Sequence, residues 1–564
     1  MPFPSDTFTI TPGSLDAAFT RCCRRLEEQH FVEALWRRDP DIWSTDPSIR
    51  QLVGHRLGWL GAIDAVTPQL SRLRDSAESV RHDGFTDVVL LGMGGSSLGP
   101  EVLSHVIGSA SGSPAFHVLD SVDPDAVRAA MVRPATSLFV LASKSGATIE
   151  PHAMAAEARR LVVEAGHTEW GHRFVAITDD GTPLHQQAVA NRFRDVFINP
   201  ADIGGRYSAL SLFGLVPAAL MGIDLDALCA HARDMEAACR AGAAAINPGL
   251  ALGALIAAGA GTGRDKLTLL LPSRLQSLGL WVEQLVAEST GKHGKGVVPV
   301  AGEPRDVAFG GDRVVVSVSV AAEGPGDVVR DRAVAGNVPM ASLRMPDETA
   351  LGAEFLRWEV ATAAAGFLMG INPFDEPNVR QAKDATQVLL DAYEHSQQLP
   401  VPASDTAHDG VRWSLSEAAR AALDGAPASS FLRVLRPHDY FAVLAYLPPE
   451  DQPWRARLEE LRAMVADRTK CATTTGYGPR YLHSTGQLHK GGPNSGVFVI
   501  IVAPPDEDLS VPDQPYSFGV LEMAQALGDF QSLDRAGRRA LLLQLDRRDV
   551  QSLDHAINAL GSTG

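Results

Sequence analysis

The 564 residues predict an α/β protein: two doubly wound parallel-sheet domains in series, a helical lead-in before them and an extra α/β segment after them. Short apolar runs alternate with helix-length segments, the pattern of βαβ units that feed a parallel sheet with helices on both faces. The alternation runs through two cycles separated by an Ala-rich helical stretch. The length, at about 150 residues per domain, also gives a prior of three to four domains. The expected boundaries are 1–80 for the lead-in, 81–255 and 256–398 for the two sheet domains, 399–427 for a connection and 428–564 for the last segment.

Each element has its own signal. From Ser14 to Ser79 apolar residues recur at helical spacing. Strand-like runs follow at 87–91, 116–119, 137–141, 174–177 and 196–198. The second cycle places strands at 266–271, 297–300, 314–320 and 339–343 and closes in a long helix over 351–369. Pro, Ser, Asp and Ala dominate 400–427, which reads as a connection. Beyond it, 441–447 and 497–502 read as strands, and 455–468 and 518–545 as helices.

Composition narrows the function. Lys and Arg number 50 against 67 Asp and Glu, and a formal charge of −17 argues against a nucleic-acid binder, which must neutralise phosphates. The five cysteines, Cys22, Cys23, Cys229, Cys239 and Cys471, are scattered with no C-x-x-C pair, which fits neither a disulfide framework nor a zinc site. They read as reduced thiols of a cytoplasmic protein. The apolar stretch 250–263 falls short of the roughly 20 residues of a membrane span, and Met1–Asp6 lacks a basic leader. A soluble, unprocessed chain without nucleic-acid or membrane partners is expected.

After the strand ending at Leu91 comes Gly92-Met93-Gly94-Gly95-Ser96-Ser97-Leu98-Gly99. Such a turn exposes backbone N–H groups before a helix and suits an anion. It also approximates a dinucleotide fingerprint, with Asp120 imitating the ribose-binding acid, but Ser97 stands where the last glycine belongs. Gly95-Ser96-Ser97-Leu98-Gly99 matches the G-x-S-x-G of hydrolases, yet Gly92-Met93-Gly94 separates it from the strand. A plain capped turn is the third reading. After the third strand, Ser143-Lys144-Ser145-Gly146-Ala147-Thr148 gathers hydroxyls and an ammonium, with Thr148 as N-cap: a phosphate cradle in kind.

Four further places carry groups for chemistry. Arg206, after Gly204-Gly205, can bind a phosphate or an oxyanion, or make an ordinary ion pair. Glu288 lies in the last turn of a helix predicted over 273–289, where the helix dipole opposes its charge and favours a raised pKa, as a base needs. Glu376 and Lys383, seven apart, would share one helix face, while Glu376 with Arg380 suits a surface pair. Residues 476–494 read as a long glycine-rich loop in which His483 or His489 is an acid-base candidate.

Together, Gly92–Ser96, Ser143–Thr148, Gly204–Ser208, Glu288–Lys292 and Asn372 through Lys383 resemble, in order, the motifs of phosphoglucose isomerases built from two sugar isomerase (SIS) domains. The C-terminal part resembles that of bifunctional transaldolase/phosphoglucose isomerases, without the transaldolase barrel. The resemblance implies that Ser96, Ser143, Lys144, Ser145 and Thr148 hold a sugar phosphate, with Gly95 and Glu376 as further substrate contacts. It makes Glu288 the base between C1 and C2, Arg206 the enediolate stabiliser and Lys383 an aid to ring opening. No metal or cofactor is expected, since an arginine supplies the charge a Lewis acid otherwise would.

The chain departs from the family at Glu376, where a glutamine is usual, and at Thr290, where an asparagine is usual. The common family form has a histidine soon after Gly302-Glu303-Pro304, and here none occurs through Val315. His483, followed by Ser484 and then Gln487-Leu488, is the favoured substitute, with His489 the alternative. The family takes that histidine from a partner subunit, which implies a homodimer with shared sites. Glucose 6-phosphate to fructose 6-phosphate isomerisation is the expected reaction. A non-catalytic sugar-phosphate sensor, or an isomerase of mannose 6-phosphate or an aminosugar phosphate, is the alternative.

Overall fold

The computed structural model describes residues 7–303, 309–321, 323 and 336–562, without the side chains of 379, 380 and 382. Met1–Asp6 and Pro304 lie outside this set, as does the side chain of Arg380. Three sheets organise the described residues.

The lead-in is helical as expected, from Asp16–Glu28 to Leu70–His82, but it begins with strand β1 (Phe8–Thr11). The first sheet comprises β2 (Asp87–Leu91), β3 (Ala115–Leu119), β4 (Ser137–Ala142), β5 (Phe174–Thr178) and β6 (Asp195–Ile198), in the order β3-β2-β4-β5-β6 and all parallel. β2, β4 and β5 are buried along their whole length, so they read as continuous apolar runs rather than alternating ones. The chain leaves β2 toward one edge and returns at β4 on the other side, so the order reverses between these two strands. Open α/β sheets bind ligands at such a switch point, beyond the carboxyl ends of the strands. The glycine loop follows β2 and the Ser143 loop follows β4.

The second sheet holds β7 (Lys266–Leu270), β8 (Val298–Val300), β9 (Arg313–Val320) and β10 (Met340–Met345), parallel in the order β10-β9-β7-β8. β1 adds to its edge antiparallel, Phe8 opposite Leu343. Four residues are too few to read as a strand in isolation; the exposed edge of β10 pairs them.

The last segment contains more strand than expected: β11 (Thr406–His408), β12 (Val411–Leu415), β13 (Tyr440–Tyr446), β14 (Ala472–Tyr477), β15 (Gly496–Val502) and β16 (Arg539–Leu545). They form one sheet in the order β11-β12-β16-β15-β13-β14. The stretch expected as a connection carries β11, β12 and the helix Glu417–Leu423. The helix expected over 518–545 ends at Arg535; Gly537 turns with φ +67°, and β16 follows. Leu, Ala and Gln favour a helix locally, but a central strand buried on both faces takes the same leucines. The expected loop 476–494 is mostly folded, with a short 3₁₀ turn at Arg480–His483 and a helix at Gly486–Gly491.

β13 explains how this unit sits. Tyr440, Ala442, Leu444 and Tyr446 join the core shared with Val89, Leu91, Phe139 and Leu141 of the first sheet domain. Phe441, Val443 and Ala445 face the unit's own core with Trp454 and Leu461. One strand thus uses its period of two to serve two cores.

Candidate functional site

The helix Gln276–Thr290 stops at Gly291, and its last two turns bring Gln284, Glu288 and Ser289 to the mouth of the first sheet. Arg206, in the turn Gly205–Tyr207 after β6, is 4% exposed and meets this helix end. Its Nε donates to Ser289 Oγ at 2.8 Å, its Nη1 stands 3.0 Å from Glu288 Oε1 and 3.2 Å from Glu376 Oε2, and its Nη2 donates to the carbonyls of Pro373 and Asp375 at 2.8 and 2.9 Å. A planar fork with five donors can span such a set; an ammonium cannot.

Burial raises the Glu288 carboxyl above the ordinary glutamate range; Arg206 pulls it down, and Glu376 adds to the rise. The other oxygen of Glu288 accepts from Gln284 Nε2 at 3.2 Å, and the same amide donates to the carbonyl of His483 at 2.8 Å. Gln284 therefore ties Glu288 to the C-terminal unit.

His483 ends the turn Arg480–His483 beside the glycine loop, where a Cβ on Gly94 would lie 2.7 Å from its carbonyl. Its Nε2 is 2.8 Å from Glu150 Oε1, an oxygen that also accepts from Gln525 Nε2 at 2.7 Å. Burial is the largest influence on the Glu150 carboxyl and would raise it, but the charge and hydrogen bond of His483, the backbone N–H of Glu150 and Lys383 together keep it below the usual range. His489 is elsewhere: 3% exposed, its ring centroid 4.9 Å from Phe498 and 5.9 Å from Tyr481, held well below the usual range by burial and then by Lys490. Of the two candidate histidines, only His483 faces the glycine loop.

The phosphate candidates line the switch point. Ser96 and Ser143 are buried, while Ser145 is exposed. Thr148 stands at the N-cap of Ile149–Glu164, but its hydroxyl pairs with Ser143 Oγ at 3.0 Å and makes no cap bond. Lys144 binds the Asp179 carboxylate and donates to the Ala201 carbonyl at 2.8 Å. Gly95 packs against the Gly205 backbone, where a Cβ would collide, and its carbonyl accepts from Ser208 Oγ at 3.2 Å.

Two expectations change. The helix of Lys383 begins at Val379, so Glu376 lies in the turn before it and does not share its face. Pro377 and the turn at 372–374, held by Lys292 on the Asn372 carbonyl and Asp375, delay the helix start. Lys383 is exposed. Asp120, the apparent ribose acid, accepts from Arg480 at 2.8 Å and from Ser97 Oγ at 3.2 Å, which occupies both the dinucleotide and the hydrolase candidates structurally. Sequence reasoning missed Glu150, Gln284 and Gln525. The first two stand two residues after Thr148 and one helical turn before Glu288; Gln525 has no local signal.

The comparisons with known proteins agree on one family. A phosphoglucose isomerase family model matches residues 62–312. A glucose-6-phosphate isomerase of Synechococcus sp. (strain CC9902) is 30% identical over 389 residues, 62% of this chain and 72% of that protein. One from Prochlorococcus marinus (strain MIT 9313) is 30% identical over 448 residues, 72% of this chain and 79% of that protein. Among solved structures, a hypothetical protein from Thermus thermophilus aligns with a TM-score of 0.58 and 26% identity, over 68% of this chain and 99% of its own. With a buried glutamate, an arginine fork and a phosphate-type loop at one switch point, and with relatives matched over most of their length, the chain belongs to the phosphoglucose isomerase family.

Proposed function

We propose that the chain is a glucose-6-phosphate isomerase that interconverts glucose 6-phosphate and fructose 6-phosphate through a cis-enediol. The observation that carries this reading is the 3.0 Å contact of Glu288 with Arg206, a base and a fixed cation in one buried place. Ser96, Ser143, Ser145 and Thr148 hold the phosphate, with Lys144 turning from Asp179 to join them. His483, oriented by Glu150, protonates the ring oxygen as the ring opens, and Lys383 assists from the rim. Glu288 takes the C2 proton, Arg206 balances the enediolate oxygen, and Glu288 returns the proton to C1. Base, acid and counter-charge are all side chains, so the mechanism needs no cofactor or metal. Gly95 and Glu376 border the sugar.

His483 lies beside the glycine loop within one chain, and we propose that each site takes this histidine from its own subunit rather than from the partner. A homodimer stays part of the proposal as an assembly, without the shared histidine, and a cytoplasmic location fits the free thiols Cys22, Cys23, Cys229, Cys239 and Cys471. The test is a coupled assay of purified chain with fructose 6-phosphate, beside Glu288→Gln. Wild-type turnover with loss of at least about 10³-fold in the variant supports the proposal. Binding of the sugar phosphate without turnover makes the chain a sensor and overturns it.

A further inference from the structure

Lys292 closes the segment Glu288–Lys292, and the steps above give it no task. Its backbone N–H donates to the Lys295 carbonyl at 2.9 Å, which fixes the residue in a tight turn just past Gly291. The side chain is 1% exposed. An ammonium has three N–H bonds, and here each has an acceptor on one turn: the Asn372 carbonyl at 2.6 Å, the Asp375 carboxylate at 2.6 Å and the Asp375 carbonyl.

The same turn aims Arg206. Of the acceptors around that guanidinium, the carbonyls of Pro373 and Asp375 and the carboxylate of Glu376 all come from residues 373–376, while Ser289 and Glu288 come from the helix end. Lys292 and Arg206 thus meet on one carbonyl, that of Asp375, although two cations so close repel. What Lys292 adds is a partner for the Asp375 carboxylate. Without it that group is stranded beside the carbonyl that Arg206 already holds, and it competes with Glu288 for the guanidinium.

With the chain as a glucose-6-phosphate isomerase, the reading on which this rests, we infer that Lys292 is a positioning residue: it pins the turn 372–376 and takes up the Asp375 carboxylate, which leaves Arg206 to Glu288 and the enediolate.

Both tasks need the charge on Lys292. Burial pushes its ammonium down to about 8 and Arg206 adds to the fall, while Asp375 and then Glu376 pull it up. Glu288, across the site, has its own carboxyl lowered by Lys292. His293 and Lys295 on the same turn are exposed, Lys295 reaching the Met369 carbonyl, and the helix Gly486–Gly491 brings the uncharged Gln487 to the Gly291 carbonyl. Lys292 is therefore mostly charged at neutral pH and loses its charge above about 8, where turn and carboxylate are released.

Steady-state kinetics of the full chain with fructose 6-phosphate, across about pH 6 to 9.5, tests this with Lys292→Met, Asp375→Asn and the double variant. Lys292→Met is expected to lower kcat about 10²-fold while KM changes less than about 3-fold, because Arg206 acts on the enediolate rather than on bound substrate. Adding Asp375→Asn removes the stranded carboxylate and restores about 10-fold of that loss, whereas a lysine that merely supported the fold would leave the double variant no better than the single one. Asp375→Asn alone, at a side chain 25% exposed, removes a pull that keeps the ammonium charged, so the basic limb of kcat near pH 8 moves to lower pH. Undiminished kcat in Lys292→Met, a double variant no more active than Lys292→Met, or a basic limb absent or unmoved by Asp375→Asn overturns the assignment, the last even where Lys292→Met does not fold. A wild type without turnover overturns the isomerase reading, and the role of Lys292 with it.

Discussion

His483 and Glu150 stand 333 positions apart in the chain and meet with 2.8 Å between Nε2 and Oε1. The imidazole comes from the C-terminal unit and the carboxylate from the first helical turn after the Ser143 loop. Gln525 grips the same oxygen, so two side chains of the C-terminal unit hold one of the first sheet domain. A carboxylate so placed fixes the orientation and tautomer of a histidine, as it does in a catalytic triad.

His483→Ala is expected to lower turnover of glucose 6-phosphate about 10²- to 10⁴-fold, the usual worth of a general acid. Glu150→Gln and Gln525→Ala give intermediate losses in kcat with little change in KM. His489→Ala opens a cavity between Tyr481 and Phe498, so it lowers Tm while the folded fraction stays active. Steady-state kinetics beside thermal melts separates the two behaviours, and a dead, stable His489→Ala would reverse the assignment.

With Glu288 as the proposed base, the acid limb of the pH profile is expected to follow its carboxyl. Its raised pKa means that the base is protonated, and activity lost, at a less acidic pH than for an ordinary glutamate. Glu376 adds to that rise and shares Arg206 with it. Glu376→Gln removes a like charge and leaves Arg206 more fully to Glu288, so both effects lower the pKa. The acid limb of kcat/KM is expected to move to lower pH; a move upward would show that Glu376 acts otherwise.

Glu288 and His483 come together within one chain, linked by Gln284. Mixing Glu288→Gln chains with His483→Ala chains is therefore expected to restore nothing, even after joint refolding. Sites shared across a two-fold axis would instead recover about a quarter of wild-type activity, from mixed dimers with one intact site.

Lys144 is held by Asp179 and the Ala201 carbonyl, and must leave them to meet a phosphate. Lys144→Ala is expected to raise KM for fructose 6-phosphate about 10-fold with a smaller change in kcat, since a phosphate contact is made equally in ground and transition states. A loss confined to kcat would place Lys144 at the reacting carbons.

Much of this protein is legible in the chain alone. Continuous apolar runs such as 87–91 and 137–141 give buried parallel strands, because a strand covered by helices on both faces has no reason to alternate. Residues 92–97 and 143–148 mark their loops because turns and exposed N–H groups need those residue types locally. Where local and tertiary preferences disagree, the sequence misleads: β16 looks helical from its leucines, and β1 is a strand only because β10 offers it an edge.

The fold class, the order of the motifs and the candidacy of Glu288 and Arg206 are all properties of short segments whose residue types have local physical causes, and the chain announces them unaided. Packing of distant segments settles the rest: which histidine faces the glycine loop, that Glu150 and Gln525 meet there, and that Arg206 spans Glu288 and Glu376. Those relations depend on how one face of β13 packs against the first sheet domain. Hydrophobic burial drives that docking and is non-directional, so nothing in the spacing of residues 150, 483 and 525 announces the contact it creates.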